Sequence, residues 1–172
     1  MNYEKRLSGG HPNSLGNTIE VVEEVLQHPD RLEALYRCYF SEDEVVRLRV
    51  SNAMKRIAQA NRPLLLPYLQ GLLDDVSQIE QASTKWTLAQ LFQCYTTDLT
   101  PRQLARATSI LQHNLESCDD WIVQNHSLQT LAEWSVHQPE LRAWLLPRLK
   151  ERLKEPRKSV RRRAEKLLTF LS

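Results

Sequence analysis

The stretch CDDWIVQN, residues 118–125, holds the side chains of this sequence that are best suited to chemistry. It places a thiol, two carboxylates and an indole next to one another. In a basic channel, an indole ring could stack on a base, and a carboxylate could stabilise a cationic sugar in a transition state. The same residues also suit a structural role, in which the aspartates cap a helix and the tryptophan packs over the preceding helix. No further catalytic motif accompanies the Asp-Trp pair, so we favour the structural role.

Histidines, cysteines and glycines lack the spacings that other catalytic or metal sites require. The five histidines form no HExxH motif and no zinc-type spacing with a cysteine, and no third group orients His113 toward Cys118. Of the four glycines, three precede residue 17, so no glycine-rich loop is available to hold a phosphate. We therefore predict a protein that is not an enzyme and that binds no metal and no small-molecule cofactor.

Composition indicates a helical domain in a reducing compartment. Apolar residues make up 41% of the 172 residues and charged residues 26%, whereas glycine is scarce. Three widely spaced cysteines suit neither a disulfide framework nor a CxxC site, so we predict a cytoplasmic protein. No run approaches the roughly eighteen apolar residues of a membrane span, and no apolar segment follows the N-terminal charges. We expect neither membrane insertion nor secretion.

Prolines recur at a constant spacing and predict the first helix of each repeat. Pro63, Pro101 and Pro139 lie 38 residues apart, and proline suits the first turn of a helix, where its missing N–H costs nothing. An earlier copy follows Pro29. Apolar side chains recur at fixed offsets after the three equally spaced prolines: Leu69, Ala107 and Leu145, then Leu73, Leu111 and Leu149. This repetition indicates a chain built from stacked helix pairs.

A second helix is predicted after each first helix, with a small or β-branched residue near its centre. The segments VRLRVSNAMKRI (46–57) and VRRRAEKLLTFL (160–171) share a Val-Arg-x-Arg-small pattern, which predicts the same packing in the first and last repeats. The four central residues are separated by 37, 40 and 37 positions: Val50, Thr87, Ser127 and Ala164.

The residues ahead of the repeats are predicted to form a tail and a capping helix. Asn17 and Glu20 have the spacing of a helix N-cap and its capping-box partner, and the apolar residues that follow, up to Pro29, lie on one helical face. Residues 1–14 have few apolar side chains and two adjacent glycines, which predicts a flexible tail.

Helix pairs of about 38 residues, with Val46-Arg47 and Val160-Arg161 in the second helix, resemble HEAT and HEAT-like repeats of the armadillo type. The resemblance implies an all-α fold, a right-handed α-α superhelix. It would be a short solenoid of about four helix pairs, whose second helices line a concave surface that holds a partner. The predicted organisation is a flexible tail (1–14) and one HEAT-like domain (15–172), with a capping helix (17–28) and repeats at 29–60, 61–96, 99–137 and 138–172.

A second, weaker resemblance concerns the stretch that begins at Cys118. A carboxylate at Asp119 or Asp120 beside Trp121 is similar to what HEAT-like DNA alkylation-repair glycosylases use. This resemblance implies that one of the two carboxylates is catalytic and that the indole stacks on a damaged nucleoside. It is the enzyme alternative for this sequence.

The C-terminal part of the sequence is strongly basic. Residues 142–172 hold eleven lysines and arginines against three glutamates, and Lys158, Arg162 and Lys166 lie in one row of a helix. Three interpretations stay open: a polar cap of the last repeat, a surface for an acidic protein or peptide, and a surface for nucleic acid. The pI of about 8.5 falls below the value of about 9 that marks basic nucleic-acid modules.

We predict a non-catalytic scaffold or adaptor that binds a protein partner or an acidic peptide on its concave surface, away from membranes. One alternative is binding of the DNA backbone through the basic C-terminal repeat, with glycosylase-like activity as its catalytic form. Another is stacking on a second copy of the chain. The residues predicted to contact the partner are Arg47, Lys55, Trp121, Gln124, Lys158, Arg162 and Lys166.

Overall fold

Residues 2–172, which the computed structural model describes, form ten α-helices and no strand. The predicted all-α fold is confirmed. Short 3₁₀ turns follow or precede several of the helices. The helices are α1 (Tyr3–Leu7), α2 (Thr18–Gln27), α3 (Leu32–Arg37), α4 (Glu44–Ala60), α5 (Leu69–Asp74), α6 (Ala82–Cys94), α7 (Pro101–Ser117), α8 (Trp121–Ser135), α9 (Pro139–Glu151) and α10 (Lys158–Leu171).

Capping side chains fix the starts of several helices. At α7, the Thr100 hydroxyl accepts from the Gln103 N–H at 3.1 Å, and Gln103 Oε1 accepts from the Thr100 N–H at 3.0 Å. At α4, Asp43 Oδ1 accepts from the Val45 N–H at 2.8 Å. Each contact satisfies an N–H that has no partner inside the helix, so the short polar residues set where these helices begin.

The segment after Pro63 differs from the predicted continuous helix. Residues Arg62–Tyr68 form 3₁₀ turns, and the α-helix begins only at Leu69. A second proline, Pro67, lies inside the 3₁₀ segment and has no N–H to donate to the carbonyl oxygen of an α-helical turn. The spacing of the prolines therefore indicates where helical structure starts, but not which type of helix forms.

Contacts between helices divide the chain into two compact units, the first ending at Cys94 and the second running from Tyr95 to Ser172. In the first unit, α4 packs against α2 and α6 and buries Val46, Val50 and Ile57. In the second unit, α8 packs against α7, α9 and α10 and is buried on most of its surface. The division falls near the predicted boundary between the second and third repeats.

The N-terminal residues contain a short helix where we predicted a flexible tail. Tyr3 and Leu7 lie four residues apart on α1, and both are buried. The Tyr3 hydroxyl donates to Glu24 Oε1 at 3.0 Å, and Arg6 Nη1 donates to Glu24 Oε2 at 2.5 Å. Two apolar side chains on one helical face are enough to anchor the segment, so the prediction of an unpacked tail is wrong for α1.

Arg49 of α4 holds the chain between α1 and α2. Its side chain is buried, and its guanidinium donates to four main-chain carbonyl oxygens at 2.6 to 3.2 Å: those of Leu7, Gly9, His11 and Ser14. Gly16 has a φ of 52°, and a Cβ atom at this position would lie 2.9 Å from Arg49 Cζ. Glycine therefore allows the main chain to adopt this conformation and to approach the guanidinium.

The helix α2 occupies the segment predicted as a capping helix, but its first turn differs from the prediction. Asn17 is the residue before the helix, yet its side chain makes no capping hydrogen bond. Asn17 Nδ2 instead donates to the carbonyl oxygen of Arg6 at 3.1 Å. The capping box with Glu20 is not formed, because the Asn17 side chain is used to hold α1.

Candidate functional site

Lys158, Arg162 and Lys166 form a row of exposed cations along α10, which we call the basic row. The opposite face of the helix is buried and packs against α8 and α9, with Val160, Ala164, Leu167 and Leu171 as its core side chains. Within residues 2–172, no carboxylate or other acceptor bonds to the side chains of the row.

The arginines around the basic row are engaged in intramolecular contacts, unlike the row itself. Arg148 Nε donates to Glu116 Oε1 at 2.5 Å, and its guanidinium lies 3.8 Å from the centre of the Trp144 ring. Arg157 Nη2 donates to Asp119 Oδ1 at 3.0 Å. Six arginines between residues 142 and 172 make such contacts: Arg142, Arg148, Arg152, Arg157, Arg161 and Arg163.

Five cations of this region remain exposed and have no partner among the residues that the structure describes: Lys150, Lys154, Lys158, Arg162 and Lys166. Three of the five form the basic row. The cations of the C-terminal sequence thus form two groups: arginines that make contacts within the second unit, and exposed side chains that face solvent.

The position of the basic row on α10 is electrostatically unfavourable. The helix begins at Lys158, has no acidic residue in its first turn, and receives no side-chain cap from Arg157. Lys158, the member of the row in the first turn, opposes the helix dipole at a cost of about 0.3 to 1 kcal/mol. Like charges four residues apart add about 0.2 to 0.5 kcal/mol per pair. The row therefore lowers the stability of α10.

Phe170 extends the basic row by one further turn. It lies four residues after Lys166 and its side chain is 53% exposed, although phenylalanine is among the residues most favoured in protein cores. The exposed face of α10 thus presents three cations followed by one aromatic ring. The sequence analysis did not predict an exposed Phe170, because an aromatic side chain near the apolar residues Leu167, Leu168 and Leu171 is typical of a core position.

Gln124 is buried, whereas we predicted an exposed side chain that contacts a partner. Its side chain is buried, and its Nε2 donates to the carbonyl oxygens of Leu115 and Cys118, both at 2.8 Å. Its Oε1 accepts from Arg152 Nε at 2.8 Å. Gln124 precedes Arg162 by 38 residues, so it occupies the matching place on α8, where the chain after α9 covers it.

Arg47 and Lys55 belong to the first unit, whereas the other predicted contact residues belong to the second. Arg47 is held inside its unit, because Nε donates to Gln81 Oε1 and Nη1 donates to the carbonyl oxygen of Ser41, both at 2.6 Å. Lys55 lines a cleft of about 230 Å³ between α4 and α6, together with Gln59, Gln90, Gln93 and Cys94. Of these two residues, Lys55 alone faces an open cleft.

The CDDWIVQN stretch has the geometry of a helix cap. Asp120 Oδ1 accepts from the N–H groups of Ile122 and Val123, at 2.8 and 3.1 Å, at the start of α8. Asp119 is exposed and paired with Arg157. The structural interpretation expected Trp121 to pack over the preceding helix. Its side chain is 49% exposed, so this packing is incomplete.

A cleft of about 310 Å³ lies beside Asp119, and it is more acidic than basic. Arg152 and Arg157 are its only cations among the lining residues, which include four carboxylates: Glu116, Asp119, Glu151 and Glu155. Hydrogen bonding from Arg157 holds the pKa of Glu155 below its ordinary value. The basic channel that glycosylase chemistry would require is not formed at this cleft.

A larger cleft, of about 700 Å³, separates α7 from α9 and was not predicted from the sequence. Ala105 and Thr108 line one wall, and Leu141 and Trp144 line the other. Glu140 is the one ionisable side chain among its lining residues. This cleft is therefore different in character from the basic row on α10.

No cluster of three or more histidine, cysteine or acidic side chains in residues 2–172 is arranged to hold a metal ion. Cys38, Cys94 and Cys118 are free thiols, and burial raises the pKa of Cys38 to about 11. In the same part of the chain, none of the helices has the length and apolar character that spanning a bilayer requires.

Comparisons of the chain with protein-family models, with curated proteins and with solved structures found no match. The resemblance to HEAT-like repeats therefore stays a prediction that depends on the sequence pattern.

Proposed function

We propose that this protein is a HEAT-like helical-repeat adaptor that binds an acidic segment of another protein through the basic row of α10. In this proposal the helix pairs stack into a short right-handed superhelix and the protein has no catalytic role. The observation that carries the proposal is that Lys158, Arg162 and Lys166 have no partner within the described residues 2–172, while the arginines around them are bonded.

Equivalent contacts in the first and last helix pairs support the HEAT-like part of the proposal. Arg47 donates to the carbonyl oxygen of Ser41, six residues earlier, at 2.6 Å. Arg161 donates to the carbonyl oxygen of Glu155, also six residues earlier, at 2.9 Å. The second residue of each Val-Arg-x-Arg segment thus makes the same contact, as expected if the two segments are copies of one repeat.

The electrostatics of α10 favour a binding role over a purely solubilising one. A solvated helix face is most stable with acidic residues in its first turn, and α10 has cations there instead. Unfavourable charge that no internal contact offsets is expected where a partner of opposite charge binds. A partner with carboxylates would relieve the repulsion along the row.

The size of the row favours an acidic protein segment over duplex DNA. Three cations neutralise about three phosphates, whereas DNA-binding proteins with strong salt dependence make about six to ten phosphate contacts. The exposed ring of Phe170 at the end of the row suits an apolar side chain of a protein partner. We therefore treat nucleic acid as the competing outcome of the experiment.

Fluorescence anisotropy with the full chain tests this function. The probes are a labelled peptide made of a run of glutamates flanked by leucines, and a labelled DNA duplex, at about 50 mM salt. The variant Arg162→Glu/Lys166→Glu reverses part of the row. Arg102→Glu/Arg106→Glu is a matched control, because these arginines are also exposed, four residues apart, and unpartnered in the described part of the second unit.

We expect the peptide to bind and the row variant to weaken it about tenfold or more, with the control unchanged, since each exposed ion pair contributes up to about 1 kcal/mol. Equal weakening by both variants, or no binding of the peptide, would contradict the proposal. Binding of the DNA duplex but not of the peptide would support the nucleic-acid function instead. The logarithm of the affinity would then fall with the logarithm of the salt concentration, with a slope of about −0.9 for each phosphate neutralised.

A further inference from the structure

We infer that the segment bound by the basic row is extended, with carboxylates at alternate residues and an apolar residue at the next alternate position. This inference depends on the proposed function, and it names the sequence pattern of the partner. Its basis is the spacing of Lys158, Arg162, Lys166 and Phe170 on α10, which are each four residues apart.

The spacing along α10 matches every second residue of an extended chain. Four residues of an α-helix advance by about 6 Å along the axis and turn by about 40° around it, so the row and a segment that follows it wind slowly around α10. Two residues of an extended strand advance by about 6.7 Å, and their side chains point to the same side. Three carboxylates at alternate residues can therefore face the three cations at once, with a mismatch that long lysine and arginine side chains absorb.

Glu165 disfavours a partner with carboxylates at every residue. It is exposed and lies directly before Lys166 and three residues after Arg162, so it borders the row with a negative charge. In an extended segment, a carboxylate at an intervening position points away from the row, so it gains no cation and adds negative charge on the side where Glu165 lies. Uncharged residues between the acidic ones avoid this repulsion.

A helical partner fits this face less well than an extended one. Helix pairs are held together by apolar side chains that pack between each other, as at the buried face of α10. The exposed face offers one apolar ring, Phe170, and is otherwise polar, with Ser159 and Thr169 beside the charged residues. An extended segment needs no apolar stripe, because its main chain can remain hydrated.

Phe170 determines which type of side chain follows the last acidic residue of the bound segment. Because it continues the row at the same spacing, the next alternate side chain of the bound segment lies over its ring. The pattern is therefore acidic-x-acidic-x-acidic-x-apolar, or the same pattern in the opposite chain direction. An apolar side chain at that position covers a ring that is 53% exposed in the free protein.

The experiment compares labelled peptides of identical composition with the full chain, by anisotropy at low salt. One peptide alternates glutamate and serine and ends in leucine, and another is its reversed sequence. A third has its glutamates consecutive, and a fourth has them four residues apart, as a helical partner would. The run of glutamates flanked by leucines, used to test the proposed function, reports whether any acidic peptide binds.

We expect one of the two alternating peptides to bind about fivefold tighter than the consecutive isomer, which is the effect of losing about one exposed ion pair. Tightest binding of the peptide with glutamates four residues apart would overturn the extended geometry. Equal binding of all isomers would overturn the inference and leave the proposed function standing. Loss of binding of every peptide, including the run of glutamates, would overturn both.

A pair of variants tests the position of the apolar residue. Phe170→Ser is expected to remove the contribution of the terminal leucine and to keep the preference for alternating glutamates. Phe40→Ser is the control, because Phe40 has a similar exposure, 51%, and belongs to the first unit. Circular dichroism verifies that both variants remain helical. An equal effect of the two substitutions would overturn the role of Phe170.

Discussion

Arg49 illustrates how a single charged side chain is accommodated in the interior of this protein. Its guanidinium is buried and, among residues 2–172, bonds to main-chain carbonyl oxygens without a carboxylate. Hydrogen bonds from a charged donor contribute about 1.5 to 3 kcal/mol each, and they compensate here for removal of the charge from water. The side chain thus links α4 to the N-terminal segment.

Replacement of Arg49 by methionine is expected to reduce the free energy of unfolding by about 3 kcal/mol, because four carbonyl oxygens lose their donor. Arg56→Met is the matched control, since the one partner of Arg56 within residues 2–172 is Asn52 of the same helix. Its loss is expected to be below about 1 kcal/mol. Urea unfolding measures both values, and similar values for the two variants would contradict the role of Arg49.

Protonation of Glu24 at low pH is expected to destabilise the first unit. Hydrogen bonds from Arg6, Tyr3 and Arg31 favour its ionised form, and the bond from Arg6 is the main reason that its pKa lies below the ordinary value of 4.5. A carboxylate with a lowered pKa stabilises the fold above its ordinary pKa, and this stabilisation is lost as the pH falls toward the lowered value.

The variant Glu24→Gln is therefore expected to be less stable than the natural chain at neutral pH, with a difference that shrinks as the pH falls below about 4.5. Thermal unfolding at several pH values measures this difference. Glu20→Gln on the same helix is the control, because Glu20 is exposed and unpartnered in residues 2–172. A difference that is constant with pH would exclude Glu24 as the source.

At the scale of the helix, α10 combines a well-packed core face with an outer face whose charge is unfavourable. Its buried side chains hold it against α8 and α9, so the helix tolerates cations near its N-terminus. A cation at Lys158 therefore lowers the stability of the helix but favours binding of an acidic partner. A single substitution at this position is expected to change the two properties in opposite directions.

The substitution Lys158→Glu is expected to raise the free energy of unfolding by about 0.3 to 1 kcal/mol and to weaken binding of the acidic peptide. Lys150→Glu is the control, and it is expected to lower the free energy of unfolding. Lys150 lies in the last turn of α9, where a cation is favourable. Urea unfolding and anisotropy measure the two effects. A loss of stability in Lys158→Glu would contradict the electrostatic account of α10.

Sequence reasoning succeeded for helices whose starts are decided by neighbouring residues. Pro101 marks the first turn of α7, and Asp120 caps α8, because both effects act within a few residues. It failed for Gln124, whose burial depends on Arg152, 28 residues later in the chain. It also missed the contacts of Arg49, since three of its four partners, Gly9, His11 and Ser14, lie in the loop between α1 and α2. Such contacts have no local signal in the sequence.

At the scale of the molecule, charge is divided unevenly along the chain. The sequence has a net charge of +2, yet residues 142–172 alone hold eleven cations against three glutamates, so the preceding part is acidic. This division was evident from composition, whereas the sorting of the C-terminal cations into bonded arginines and an exposed row was not. The sorting depends on which carboxylates and carbonyl oxygens the fold brings within reach.

The exposed charge of the basic row predicts that association with an acidic partner is sensitive to salt. Exposed charges are screened over about 8 to 10 Å at physiological ionic strength. Binding through the basic row is therefore expected to weaken as salt rises, and the contact with Phe170 to persist. The contribution of the terminal leucine should be similar at low and high salt, because apolar contacts are not screened.

The most direct test of the proposed binding surface is an NMR titration of the ¹⁵N-labelled full chain with the peptide of glutamates flanked by leucines. We predict that the amide signals that shift are those of α10 from Lys158 to Phe170, with unchanged signals for the cleft residues Ala105 and Trp144 and for Lys55. Shifts at either cleft, with the signals of α10 unchanged, would contradict the proposal that the basic row binds the partner.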